Sequence, residues 1–191
     1  MKVIHQFLNE QFFKPNWDID YLFIGTFNPA GGEKVNFFYG RNSNFTWPIL
    51  SNIFGENFNP YEIENFQNFI LKLQKHKIAC VDIIKYLEFD ESNYDKKKVL
   101  GKGYMDSNII NLKITRHYNT ISILELINSN PKIKVFSTWG NGSNLKEWRN
   151  EIDKIQNLIK LASPSRAARV PKGVKKFEYV LHNWKNEILS K

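Results

Sequence analysis

The stretch Tyr21-Leu22-Phe23-Ile24-Gly25-Thr26-Phe27-Asn28-Pro29 decides how the rest of the chain is read. Four apolar residues in succession, without the polar alternation of a half-exposed strand, describe a strand buried on both faces, and Gly25 breaks it. A strand of that kind belongs to a parallel sheet with helices on either side. The loop that follows, GTFNPAGGEKVNFFYGRNSNFTWPIL from Gly25 to Leu50, holds Asn28, Asn36, Asn42 and Asn44 beside Phe27, Phe37, Phe38, Tyr39 and Phe45. Flat apolar faces together with uncharged donors and acceptors suit a pocket for a flat ring with a polar edge. In open α/β sheets, ligands bind outside the carboxyl ends of the strands, where this loop begins.

Working outward, His5 to Phe13 predicts a short leading helix, ended near Pro15. On the other side, Trp47 to Phe54 predicts a helix with Pro48 in its first turn, where the missing N–H costs nothing. A longer helix is expected from Pro60 to about His76, from the three- and four-residue spacing of Ile63, Phe66, Phe69, Ile70 and Leu73. Ile78 to Ile84, IACVDII, is a second buried strand with one intruding charge. That charge, Asp82, is either a loop-pinning group or a site residue. Lys85 to Gly103, with its run Lys96-Lys97-Lys98, reads as an exposed excursion. Further helices are expected after Asp106-Ser107, from Asn119 to Asn128 and from Ser143 to Gln156. A third strand spans Ile133 to Ser137 and a fourth Leu158 to Leu161, and a helix from Val174 to Leu189 closes the chain. Strand and helix thus alternate four times without hairpin signals. The pattern predicts the α/β class, a three-layer α/β/α arrangement around a central four-stranded parallel sheet, in one domain spanning residues 1–191.

Composition bounds the function. The 191 residues include 27 Lys and Arg against 19 Asp and Glu, a net charge of +8 that favours an anionic partner such as nucleic acid. From Leu158 to Phe177 there are six basic residues, Lys160, Arg166, Arg169, Lys172, Lys175 and Lys176, and no acidic ones. The single cysteine, Cys80, lies in an apolar run and reads as a small buried residue. One thiol forms neither an internal disulfide nor an iron–sulfur cluster. His5, His76, His117 and His182 are scattered without ligand spacing, so neither a metal nor another cofactor is expected. Gly31-Gly32 lacks the Gly-Lys-Ser/Thr ending of a phosphate loop, and no Gly-x-Ser-x-Gly elbow occurs. With no apolar leader and no stretch approaching a membrane span, the expectation is a cytoplasmic protein, a monomer.

Two segments resemble the uracil-DNA glycosylase superfamily, in particular its mismatch-specific and deoxyinosine (hypoxanthine)-glycosylase branches. Gly25-Thr26-Phe27 stands where the latter branch carries Gly-Ser-Phe. Phe38-Tyr39-Gly40-Arg41-Asn42-Ser43-Asn44-Phe45-Thr46-Trp47 is similar, without gaps, to its aromatic pair and Ala-His-Pro-Arg-Asn-Ala-Phe-Trp segment. The strand with Asp82 and the segment Gly103 to Ile109 resemble further parts of the family. Ser163-Pro164-Ser165-Arg166-Ala167-Ala168-Arg169 resembles the loop after the last strand, Asn-Pro-Ser-Gly-Leu-Ser-Arg in the mismatch-specific branch, agreeing at Pro164, Ser165 and Arg169.

The resemblance implies a monofunctional DNA glycosylase that hydrolyses the N-glycosidic bond of a flipped uracil or hypoxanthine in DNA, initiating base excision repair without a metal. It implies Asn44, and second to it Asn28, as catalytic residues that hold the water, Asn44 alternatively reading the base edge. Gly25, Thr26, Phe27, Phe38, Tyr39 and Ser163 would contact the base, with Phe38 as its stacking face, and Pro164, Ser165, Arg166 and Arg169 would contact DNA. Three positions depart from the family. Asn28 replaces a proline, Phe27 stands where the mismatch-specific branch has its catalytic asparagine, and Ala167 replaces the leucine that enters the base stack. Phe27 and Ala167 leave room for a non-catalytic nucleic-acid-binding protein on the same fold; a small-molecule enzyme, for example on nucleosides, is a second rival.

Overall fold

The computed structural model describes residues 1–61, 65–90, 109, 114–139, 148–166 and 168–190. Its strands, in chain order, are β1 (Lys2–Ile4), β2 (Tyr21–Gly25), β3 (Ile78–Asp82), β4 (Ile84–Glu88), β5 (Thr115–Tyr118), β6 (Lys134–Ser137) and β7 (Leu158–Lys160). Its helices are α1 (Thr46–Phe54), α2 (Phe66–Lys75), α3 (Thr120–Ser129), the single turn α4 (Arg149–Ile152) and α5 (Lys176–Leu189). Strands β3, β2, β6 and β7 pair in that order, all parallel, as the four-stranded sheet expected from the sequence.

Both faces of this sheet are buried, and the side-chain period of two decides which residue goes where. Leu22, Ile24, Ala79, Val81 and Val135 face one layer, with Ile123 and Leu126 of α3 and Ile152 of α4. Phe23, Ile78, Cys80 and Phe136 face the other, with Trp47, Ile49 and Leu50 of α1, Phe69 and Leu73 of α2, and Val180, Trp184 and Ile188 of α5. The result is three layers. On the second face, Phe23 stacks on Phe136 (5.1 Å between centroids) and on Trp184 (5.5 Å). Burial in this layer pushes the Cys80 thiol well above its ordinary pKa, and the nearby Asp82 carboxylate adds to the effect.

Three expectations are corrected. Residues 5–13 are not a helix: Lys2-Val3-Ile4 pairs antiparallel with Tyr86 to Glu88, and only Gln11–Phe13 forms a 3-10 turn. Beyond that pairing His5 bridges Pro29, and the His5 and Gln6 N–H groups donate to Lys85 O and Asn28 O, so the first backbone bonds of this segment go to neighbouring chain and not to a helix. The second strand does not run on to Ile84. It ends at Asp82, and the chain turns at Ile83 into β4. Nor is Lys85 to Phe89 an exposed excursion, since β4 is the middle strand of a second, three-stranded antiparallel sheet, β1-β4-β5, with Leu87 and Phe89 buried. Lys96 to Lys98, the segment from Gly103 to Asn108, residues 143–147 of the expected Ser143 to Gln156 helix, and Ala167 lie outside the described residues; over the described part of that helix, 148–156, only the turn Arg149–Ile152 is α-helical, and the rest is turns. Among the described residues no helix is long and apolar enough to cross a membrane.

Candidate active site

The connection leaving β2 leads to β3 on one side, whereas that leaving β6 leads to β7 on the other. Between such strands a crevice opens at the carboxyl ends. It is present here as a cleft of about 350 Å³ that takes residues from the ends of all four parallel strands. Gly25 to Asn28 come from β2, Asp82 from β3, Thr138 and Trp139 from β6, and Ser163 to Ser165 with Ala168 from β7. Tyr39, Arg41, Ser43 and Asn44 complete the lining from the long loop.

The two loops singled out in the sequence meet through backbone bonds. Asn44 and Ser165 form an antiparallel bridge, Phe45 N–H donates to Pro164 O (2.8 Å), and Arg166 N–H donates to Ser43 O (2.9 Å). These contacts fix Pro164 and Ser165 beside Asn44. Arg166 and Arg169 are exposed. The Arg166 guanidinium lies 5.4 Å from the Phe45 ring centroid, and Phe45 meets Phe177 edge-on at 5.4 Å, so the rim beside the cleft is cationic and aromatic.

Of the expected site residues, Gly25, Thr26, Phe27, Asn28, Tyr39, Asn44, Ser163, Pro164 and Ser165 line the cleft. Phe38 does not. It is 0% exposed, enclosed by His5, Phe7, Phe12, Phe13 and Phe37, and its carbonyl accepts the Trp47 indole N–H. It is a core residue, and of the aromatics that do reach the cleft Tyr39 and Trp139 are half-buried. Tyr39 reaches it from a left-handed backbone (φ 56°), which costs a non-glycine residue about 1–2 kcal/mol and recurs at functional loops. Its hydroxyl lies 3.2 Å from that of Thr138, which is also 3.2 Å from Ile24 O.

Asn44 is partly committed to its own loop. Its Oδ1 accepts the N–H of Thr46 (2.9 Å) at the start of α1, which leaves one carbonyl lone pair and the Nδ2 donors to face a ligand. Asn28 points elsewhere, its Nδ2 donating to Asp82 Oδ2 (2.9 Å).

Asp82 and His5 form the part of the site that sequence reading assembled least well. Gly25 and Asp82 are register partners on adjacent parallel strands, so their side-chain positions share a face. Glycine leaves that face empty, and the carboxylate leans into the gap: a Cβ added to Gly25 would stand 2.3 Å from Asp82 Oδ1 and 2.9 Å from the Tyr39 hydroxyl. Asp82 is 2% exposed and His5 0%. His5 Nδ1 accepts the Phe7 N–H (3.0 Å). That bond requires the lone pair on Nδ1, so Nε2 carries the proton and donates it to Asp82 Oδ2 (2.8 Å). Asp82 was visible in the sequence as an intruding charge. His5 gave no signal, since its partner lies 77 positions away. Arg41, 3.5 Å from Glu33, was likewise not singled out as a site residue. Among the described residues, no group of three or more His, Cys, Asp or Glu side chains is placed to hold a metal.

No protein-family model matches the chain, and no curated protein matches it. Among solved structures, it is similar to the solution NMR structure of a protein from Methanosarcina acetivorans whose own description as a uracil DNA glycosylase is provisional. The TM-score is 0.48 at 14% identity, over 91% of this chain and 93% of that one.

Proposed function

We propose that the cleft hydrolyses the N-glycosidic bond of a deaminated base, uracil or hypoxanthine, turned out of DNA, and so initiates base excision repair. The observation that carries this reading is the Asn44–Ser165 bridge, which joins two loops 121 positions apart around one cleft beside a rim bearing Arg166 and Arg169. A volume of about 350 Å³ suits a single base and its sugar, while the rim carries the charge that a phosphate backbone needs. In this reading Tyr39 and Trp139 flank the base and Asn44 Nδ2 donates to its edge. The loop around Gly25 to Phe27 and Ser163 bounds the base, and Pro164, Ser165, Arg166 and Arg169 hold the strand.

The test is base release from single- and double-stranded oligonucleotides carrying uracil, hypoxanthine or xanthine, under single-turnover conditions. Release of uracil or hypoxanthine is expected. Tight binding with no release would instead identify a nucleic-acid-binding protein that has lost turnover. Absence of any oligonucleotide affinity, together with activity on free nucleosides, would move the reading to a small-molecule enzyme.

A further inference from the structure

We propose that Asp82 is the base that activates the attacking water, with His5 and Asn28 as its positioning residues. The inference rests on the glycosidic reading of the cleft and deepens it. A buried carboxylate that only pins a loop is expected to spread its donors over both oxygens. Here the His5 Nε2–H and the Asn28 Nδ2–H both converge on Oδ2, at 2.8 and 2.9 Å. The other oxygen, Oδ1, is turned over Gly25 in the floor of the cleft, where only a glycine leaves it room.

The donor side is locked as well. The Phe7 N–H holds His5 as its Nε2–H tautomer, and the ring is wedged against Phe13 at 5.0 Å, Phe7 at 5.5 Å and Phe27 at 5.7 Å, so it cannot swing away. At the other end, the backbone carbonyl of Asp82 accepts from Asn119 Nδ2 (3.2 Å). Residues from three separate parts of the chain, 5–13, 25–28 and Asn119, thus hold Asp82 with its carboxylate toward the cleft. Among the described residues that line the cleft, Asp82 is the only carboxylate, and the Asn44 carbonyl already accepts from the Thr46 N–H.

The step balances. Water oxygen bonds to the anomeric carbon, the C–N bond breaks with its electron pair passing to the base, and the water proton goes to Asp82 Oδ1. The base anion then takes a proton from solvent, and Asp82 returns its own. A carboxylate performs this transfer and an amide does not, and such a group contributes about 10²–10⁴-fold.

Single-turnover release and oligonucleotide affinity are to be measured for wild type, D82N and D82A. Asparagine keeps an acceptor for the His5 N–H, so D82N retains the fold, which circular dichroism verifies. D82N should lose about 10²-fold or more in release while its affinity stays within about threefold. Added formate should restore release in D82A, whose missing carboxylate leaves a space, and not in D82N, whose amide fills it. A purely structural Asp82 would show no such rescue. Release by folded D82N within about threefold of wild type, or a folded D82A that formate leaves unchanged, would overturn the role of Asp82 and leave the glycosidic reading standing. Failure of the wild type to release any base would overturn both.

Discussion

At the scale of single residues, the site depends on one absent side chain and one engaged amide. Gly25→Ala should be severe, because the added methyl would meet Asp82 Oδ1 and the Tyr39 hydroxyl at distances that ordinary packing never tolerates. Overpacking of this kind costs about 1–3 kcal/mol. Chemical denaturation should show that loss, and base release should fall further than stability alone explains. Asn44→Ala should lower stability by about 1 kcal/mol, the usual effect of removing a side-chain acceptor from the first amide of a helix, here Thr46 N–H. Its effect on release is best read after that loss is accounted for. At this scale the sequence displayed the residues but not their company. The amides and aromatics of the long loop were plain. Which aromatic faced the cleft was not, since Phe38 and Tyr39 are neighbours and a left-handed turn at Tyr39 sends one inward and the other to the cleft wall.

At the scale of elements, the parallel strands were legible because each is a short apolar run with both faces covered, and a buried run of that kind has few other uses. The antiparallel sheet was not. Its edge strands are three and four residues long, β5 exposes Thr115, and β1 pairs with residues more than eighty positions away. Non-local pairing leaves no periodicity to read. The join between α1 and α2 carries a pH dependence of its own. Glu56 accepts from Lys75 Nζ at 2.8 Å, with Lys72 at 3.6 Å and His76 at 3.5 Å. The Lys75 hydrogen bond, against the opposing effect of burial, holds its carboxyl at about 2 rather than the ordinary 4.5. A carboxyl whose pKa is lower in the folded state stabilises fully above the unfolded value. That contribution fades as pH falls from about 4.5 to about 2. Glu56→Gln should therefore melt below wild type at pH 7, and the two melting curves should converge as the pH approaches 2.

At the scale of the whole molecule, the net charge of +8 acquires a location in the segment after β7, where Arg166 and Arg169 stand exposed beside the cleft. Arg169→Ala should weaken binding to oligonucleotides of any sequence. The slope of log affinity against log salt should fall by about one unit, with release from bound substrate little changed. Titrations at several salt concentrations check this, and an unchanged slope would remove Arg169 from the phosphate contact.

The chain from Ile78 to Glu88 belongs to both sheets, bending once at Ile83, so the carboxylate at its bend is a passenger on each. Loosening of the small sheet by modest heating would tilt Asp82 and draw away His5, whose backbone N–H donates a hydrogen bond to Lys85 O of the same sheet. The protein should consequently fall silent some degrees before it melts, and a thermogram of base release laid over one of circular dichroism would display the gap.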